Sequence, residues 1–266
     1  MKKLFIVGGS SGIGFATVKK FLQNGYSVIN LSRTPCQHAG VENYLCDVSV
    51  PKQLDDTLSK IVKVNSIDIF IYCAGFSMAS PIEFVRENDY RYLYEVNLFA
   101  FLRCVQALVP LLRKSEGTIC VISSLGSICP IPYDCYYSGS KNALNATVQS
   151  LKYELLLDNV NVISILCGGT KTNFSFKRKI YPYSTVGGYS KQMHLAVERL
   201  KNIEQNGLSA EKVATFIYKK CHTHNVSVSL YPNNFINKII AFFVRIAPQS
   251  LIYFITKNVY FCQEED

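Results

Sequence analysis

The 266-residue chain has no low-complexity tract, no internal repeat and no Pro/Gly/Ser-rich linker. Nothing divides it, so a single domain spanning 1–266 is expected. Charge is scarce too. Charged residues make up 18% of the chain against 48% hydrophobic ones, which calls for a large buried core. The ten cysteines contain no CxxC pair and no ligand-like spacing. They read as reduced thiols of a cytoplasmic protein, and no secretory leader precedes the strand-like Leu4-Phe5-Ile6-Val7. The cluster Cys221-His222-Thr223-His224 lacks a second ligand group, so no metal site is expected.

Acidic residues are few, 19 against 28 Lys+Arg, for a net charge of +9. The excess favours anionic partners. No basic motif interleaved with aromatics accompanies it, which argues against nucleic acid. A phosphorylated cofactor, an anionic substrate or an acidic membrane surface would use the same charge, and so would a plain solvated surface.

Short aliphatic runs alternate with longer helical patterns. Strands are expected at Lys3–Val7, Ser27–Leu31, Glu42–Leu45, Ile67–Tyr72, Gly117–Ile122, Asn161–Leu166 and Val226–Leu230. Helices are expected near Gly12–Asn24, Pro51–Val64, Asp89–Lys114, Tyr136–Asp158 and Ser209–Cys221. This order implies an α/β fold, a Rossmann-like doubly wound parallel sheet of about seven strands with helices on both faces.

The first strand empties into Gly8-Gly9-Ser10-Ser11-Gly12-Ile13-Gly14. Glycines there let the backbone turn sharply and let a pyrophosphate approach the helix N-terminus. After the second strand come Ser32 and Arg33 with no acid. A guanidinium matches a 2′-phosphate, so NADP(H) is expected rather than NAD. Asp47, after the third strand, is placed to accept from an adenine amino group.

In "YYSGSK", Tyr137 and Lys141 are one helical turn apart, whereas Tyr136 has Ser140 as its four-residue neighbour. With the glycine turn and Asp47, this segment makes the chain resemble the short-chain dehydrogenase/reductase family in its single-domain form. The ordered matches run from Lys3 to about Val228. The pattern TGxxxGxG appears as Val7-Gly8-xxx-Gly12-Ile13-Gly14, and NNAG as Tyr72-Cys73-Ala74-Gly75. Glu95-Val96-Asn97-Leu98 matches the segment bearing the helix asparagine. Ser124 lies 13 residues before Tyr137, and PGxxxT appears as Cys167-Gly168-Gly169-Thr170-Lys171-Thr172.

The resemblance implies Ser124, Tyr137, Lys141 and Asn97 as catalytic residues. It implies cofactor contacts from Gly8, Ser10, Ser11, Gly12, Ile13 and Gly14 in the first turn, and from Ser32 and Arg33 beyond the second strand. Asp47 and Val48 follow the third strand and Cys73, Ala74 and Gly75 the fourth. Tyr137 and Lys141 also touch the cofactor, as do Gly168, Thr170 and Thr172. Cys73 and Cys167 then fall beside the cofactor as small packing residues, with redox sensing as the alternative. Lys141 is expected to lower the Tyr137 pKa and to bind the nicotinamide ribose. Ser124 is expected to polarise the carbonyl, and Asn97 to hold a water that links Lys141 to solvent.

Residues 173–208, with Lys177-Arg178-Lys179 and several tyrosines, read as a substrate lid or a solvated basic loop. The apolar tail at 233–261 carries Asn234, Lys238, Ala241 and Arg245 as one polar stripe. Pro248 is expected to break its helix before a second apolar segment from Leu251. Such a surface needs cover from the domain, a second subunit or a membrane surface. The expected activity is reduction of a ketone or aldehyde, reversible as an alcohol dehydrogenase, on a lipophilic or anionic small-molecule carbonyl/alcohol substrate. Two alternatives stand beside it: a non-catalytic NADP-binding regulator, and sugar epimerase or dehydratase chemistry. The family analogy implies a homodimer or homotetramer, cytoplasmic, with peripheral membrane contact through the tail as one option.

Overall fold

The computed structural model describes residues 1–63, 66–223, 227–232, 239, 242–244 and 246–261. Seven parallel strands form the central sheet: β1 (Lys3–Val7), β2 (Ser27–Ser32), β3 (Val41–Leu45), β4 (Ile69–Tyr72), β5 (Thr118–Ser124), β6 (Asn161–Cys167) and β7 (Ser229–Leu230). Their order across the sheet is β7-β6-β5-β4-β1-β2-β3. The inner strands are apolar throughout because both faces are covered. In β1, Leu4 and Ile6 enter one core layer, while Phe5 and Val7 enter the other. This is the period of two expected for a pleated strand.

Helices α1 (Gly12–Leu22), α2 (Pro51–Ile61), α3 (Glu87–Tyr94), α4 (Ala100–Ser115) and α5 (Cys135–Glu154) precede β6. Then come α6 (Ser190–Gln205), α7 (Ala210–Cys221) and α8 (Gln249–Phe261). The layer holding Leu4 and Ile6 also holds Val18 and Phe21 of α1 and Val213 and Ile217 of α7. Opposite it, Phe5 and Val7 share a layer with Leu58 of α2, Phe101 and Leu108 of α4, and Leu144 and Val148 of α5. Helices thus cover both faces, as expected. Among the described residues, Glu87–Ser115 is long and apolar enough to cross a membrane. Its apolar residues Phe101, Cys104, Leu108 and Leu112 are fully buried against the sheet.

The helix expected over Asp89–Lys114 is interrupted by one π-turn at Glu95–Phe99. The segment expected as a lid or basic loop ends in α6, a 16-residue helix. Its signal was present: Met193, Ala196, Val197 and Leu200 recur at helical spacing and are buried. α8 begins directly after Pro248, as the break there predicts. The polar stripe of Asn234, Lys238, Ala241 and Arg245 lies outside the described residues, as do His224 and Val226.

Val7 pairs with Leu31 and with Tyr72, and Ser124 pairs with Cys167. The carboxyl ends of β1, β2, β4, β5 and β6 therefore share one edge. Sequence order reverses across the sheet between β1 and β4. Ligands of such sheets bind at this edge, beside that reversal.

Candidate active site

A cavity of about 950 Å³ opens along that edge. At one end is the turn after β1, where Gly8 and Gly12 have φ of 89° and 55°. A Cβ on Gly8 would lie 2.8 Å from the Ala74 backbone nitrogen, so the turn and the loop after β4 touch only because Gly8 lacks one. Ser11 caps α1 in an extended conformation without a side-chain hydrogen bond, and the first turn of α1 holds no acid. The positive end of the helix dipole thus meets the cavity without a protein anion. Gly8, Ser10, Ser11, Gly12 and Ile13 line the cavity, whereas Gly14 stands behind the wall. Sequence inspection passed over Asn30, a fully buried amide inside β2. Its Oδ1 accepts from Gly9 N at 2.8 Å, and its Nδ2 donates to Ser32 Oγ at 2.8 Å. Asn30 thereby ties the glycine turn to the end of β2.

At that end Ser32 is committed inward, donating to Thr34 O at 2.7 Å. Arg33 is exposed and donates through Nη1 to Tyr92 OH at 3.2 Å. Thr34 Oγ1 donates to Ser10 Oγ at 3.1 Å. A guanidinium and a hydroxyl pair therefore border the cavity. Thr34 and Tyr92 were not among the expected residues. Asp47 Oδ1 accepts from both Ser49 N and Ser49 Oγ, which fixes its carboxylate at the rim. These groups fit a dinucleotide: an uncapped helix N-terminus for the diphosphate and a Cβ-free turn for its approach, with the Arg33 guanidinium at the rim.

Ser124, Tyr137 and Lys141 line the same cavity. Ser124 ends β5 and its Oγ accepts from Gly126 N at 3.0 Å, which closes a tight turn and aims the hydroxyl. Tyr137 and Lys141 sit in the first turns of α5, both buried. Lys141 Nζ donates to Ile122 O at 2.8 Å and lies 5.9 Å from the Tyr137 ring centroid. Burial pulls the Lys141 ammonium down to about 8, against a raising effect of Cys73 and Cys167. Burial also pushes the Tyr137 phenol well above its ordinary value. A hydrogen bond with Ser124 works against that rise, and the Asp134 and Glu204 carboxylates add to it.

The expectation that Lys141 holds the Tyr137 pKa down is therefore corrected. Desolvation raises the phenol, and the ammonium is turned toward the Ile122 carbonyl. Tyr136, by contrast, stacks on Tyr90 with centroids 5.1 Å apart. Burial raises the thiols of Cys73 to about 11 and Cys167 to about 12, which favours the thiol over the more reactive thiolate at neutral pH and speaks for packing roles over redox sensing.

Asn97 lies within the π-turn and behind the cavity wall. Its Oδ1 accepts from Phe76 N, and its Nδ2 donates to Phe76 O and to Ser140 Oγ. Single π-turns cluster at functional sites because they re-aim one side chain. Here the amide clamps the loop after β4 to α5. A Cβ on Gly75 would sit 3.1 Å from Asn97 Oδ1 and 3.2 Å from Lys141 Nζ, so glycine keeps the two groups adjacent. Cys73, Ala74 and Gly75 line the cavity, as do Val48, Gly168, Thr170 and Thr172.

The far wall is supplied by the tail. Ile252, Ile255, Thr256, Val259 and Tyr260 of α8 line the cavity, and α8 packs on α6. Tyr253 and Phe254 on the same helix are 72% and 61% exposed. α8 is thus covered by the body on one face and bare on the other.

The short chain dehydrogenase family model matches residues 2–179. The 3-ketodihydrosphingosine reductase of Bacteroides thetaiotaomicron is 26% identical over 220 residues, covering 81% of this chain and 82% of the relative. The NADPH-dependent 3-dehydrocapnine reductase of Ornithobacterium rhinotracheale is 30% identical, covering 83% and 86%. A short-chain dehydrogenase structure from Streptomyces avermitilis superposes with a TM-score of 0.79 at 22% identity, over 97% of this chain and 95% of that one. The seven-stranded sheet with its glycine turn, the Tyr137–Lys141 helix and a match over residues 2–179 lead to one assignment: the chain belongs to the short-chain dehydrogenase/reductase family, oxidoreductases that use a nicotinamide cofactor on CH–OH or C=O groups.

Proposed function

We propose that the chain is an NADPH-dependent reductase of a ketone or aldehyde carried on a long apolar chain. The observation that carries this reading is the single cavity in which Ser124, Tyr137 and Lys141 face apolar side chains of α8. When bound, the nicotinamide supplies the hydride. The turn after β1 and the α1 N-terminus bind its diphosphate, Arg33 with Thr34 and Ser10 bind the 2′-phosphate, and Thr172 with Thr170 orients the ring end.

Tyr137 gives its phenolic proton to the forming alkoxide. Its raised pKa keeps that proton in place at neutral pH, which favours reduction. Ser124 donates to the same oxygen, where negative charge develops. Lys141 supplies a buried positive charge beside the site and holds the ribose. Asn97 positions the loop around Gly75 and the first turns of α5. The activities of two relatives, a 3-ketodihydrosphingosine reductase and an NADPH-dependent 3-dehydrocapnine reductase, support carbonyl reduction, and the second supports NADPH. A non-catalytic regulator would have no use for the buried Tyr137–Lys141 pair.

The test is NADPH oxidation against long-chain ketones, 3-oxoacyl thioesters, steroids and keto-sugars. Turnover of the long-chain ketones is expected. Tight NADPH binding with no turnover of any of them would favour the regulator. For cofactor choice, Arg33→Ala is expected to raise KM for NADPH by about ten-fold or more and to leave KM for NADH nearly unchanged, since a charge-assisted phosphate contact is lost. Equal effects on both cofactors would remove Arg33 from the 2′-phosphate site.

A pH dependence follows from Lys141. Its pKa is depressed to about 8, so the ammonium is present below that pH and lost above it. The kcat/KM for reduction is expected to fall as pH rises through about 8, while Tyr137 still holds its proton. A profile from pH 6 to 10 checks this, with Lys141→Met expected to lack that limb.

A further inference from the structure

Three charged side chains beside Tyr137 have no part in the steps above. Asp134 occupies the N-cap position of α5 without a side-chain capping bond, Arg178 lies in the segment between β6 and α6, and Glu204 is near the end of α6. All three line the cavity. Arg178 Nε donates to Ser77 Oγ at 2.7 Å, and its Nη2 donates to Glu204 Oε1 at 2.6 Å. Asp134 Oδ1 accepts from Met78 N at 3.2 Å, and its Oδ2 lies 3.8 Å from Arg178 Nε. The side chains of Arg178 and Asp134 are 1% and 2% exposed.

Despite these contacts, one atom of each residue has no hydrogen-bond partner: Asp134 Oδ2, Arg178 Nη1 and Glu204 Oε2. Buried polar atoms are nearly always satisfied, and three orphans in one charged cluster on a cavity wall are what an absent ligand leaves behind. The preceding residue strengthens the point. Tyr133 holds a φ of 60°, in the left-handed region that a bulky residue avoids. Strain of this kind clusters at ligand sites.

We propose that Asp134, Arg178 and Glu204 form a head-group subsite for a protonated amine carried next to the substrate carbonyl. The inference rests on the reductase reading above and names its substrate class. Two carboxylates surround a single guanidinium, so the cluster lacks one positive charge. An ammonium has three donors and no acceptor, which suits the two free carboxylate oxygens. Arg178 Nη1 then needs an acceptor, which a hydroxyl or carbonyl oxygen on a neighbouring carbon provides. An anionic head would instead meet both carboxylates.

The charges of Asp134 and Glu204 reach Tyr137, and together with Arg178 they reach Tyr260 of α8. The head group therefore sits within electrostatic range of the proton donor, and an apolar chain can run on along α8. The arrangement also acts on the chemistry. When Tyr137 gives up its proton, the phenolate faces two carboxylates, and a bound ammonium offsets that repulsion as it develops. Burial raises Asp134 to about 7, so without the amine this carboxyl takes up a proton near neutrality instead.

Calorimetric titration tests the subsite without requiring turnover. The probes are an eight-carbon 2-amino-3-alcohol, its des-amino counterpart and a counterpart bearing phosphate in place of the amine, each added to the NADP⁺-loaded protein. Wild type is expected to bind the amine at least about ten-fold tighter than the des-amino alcohol. Glu204→Gln and Asp134→Asn are each expected to shrink that ratio to about two-fold or less. Thermal melts establish that the variants are folded, and Glu204→Gln, at the cluster's edge, serves alone if Asp134→Asn does not fold.

Equal binding of amine and des-amino probes by wild type overturns the proposal. So does tighter binding of the phosphate probe, or an amine preference that survives in a folded Glu204→Gln protein. NADPH oxidation with the matching ketones reports separately on the reductase. Turnover with no amine preference in binding would keep the reductase and remove the subsite.

Discussion

Tyr137→Phe is expected to lower kcat for carbonyl reduction by about 10²- to 10⁴-fold, the range over which a positioned general acid contributes. Tyr136→Phe is expected to stay within about two-fold of wild type. The two residues are adjacent in α5, yet their surroundings differ. Tyr137 is buried against the cavity, with Ser124 as partner and Lys141 one turn on. Tyr136 stacks on Tyr90 at the surface, and its hydroxyl reaches only the Ile82 carbonyl, at 3.5 Å. Phenylalanine preserves both ring contacts, so only the hydroxyl is tested. Steady-state kinetics on both variants, with thermal melts to show equal folding, separates the roles. A Tyr137→Phe protein with wild-type kcat would end the proton-donor assignment.

The second large effect is expected at Gly14. This residue does not line the cavity, but a Cβ placed on it would overlap the Gly8 carbonyl oxygen and crowd Gly9 Cα. Both are backbone atoms, so no rotamer change relieves the contact. Gly14→Ala must push α1 away from the turn that it meets. Overpacking of this kind costs about 1–3 kcal/mol. The displacement also spoils the Gly8 approach to Ala74 and the Gly9 hydrogen bond to Asn30. A loss of NADPH affinity of about 100-fold is expected, measured by fluorescence titration, with a lowered Tm beside it. Gly40→Ala serves as control. It shares a positive φ with the turn glycines, at 81°, but its Cβ would meet nothing within 4 Å. Unchanged NADPH affinity in Gly14→Ala would mean that the turn can move without harm.

The parts of the site that were legible in the sequence are those written over short spans. The glycine turn is set by residues 8 to 14, and Tyr137 to Lys141 by one helical turn. The strands read well because apolar runs buried on both faces have few alternative uses. Asn30 was available to inspection, since an amide inside "SVINLS" is out of place in a buried strand, but its role needs the fold to bring Gly9 and Asn43 to it. The Asp134–Arg178–Glu204 cluster was illegible for a similar reason: its members are far apart in the chain and meet only when α6 packs against the start of α5. The Tyr137 pKa failed as an expectation because charge can be read from sequence spacing, whereas burial cannot. Tyr181 illustrates the same limit. Read only as lid aromatic content, it accepts from Arg86 N and donates to Asp89, pinning the segment before α6 onto α3.

The family match stops at residue 179, whereas α6 and α8, which close the outer half of the cavity, come after it. The proposed proton donor and its neighbours fall inside the matched stretch, and the apolar wall supplied by α8 falls outside it. Glu204 belongs to the second stretch and Asp134 and Arg178 to the first, so the head-group cluster is a seam between the two. On the proposed reading, exchanging the chain beyond residue 179 would replace the apolar wall and one carboxylate of the cluster and leave Tyr137 and its neighbours in place.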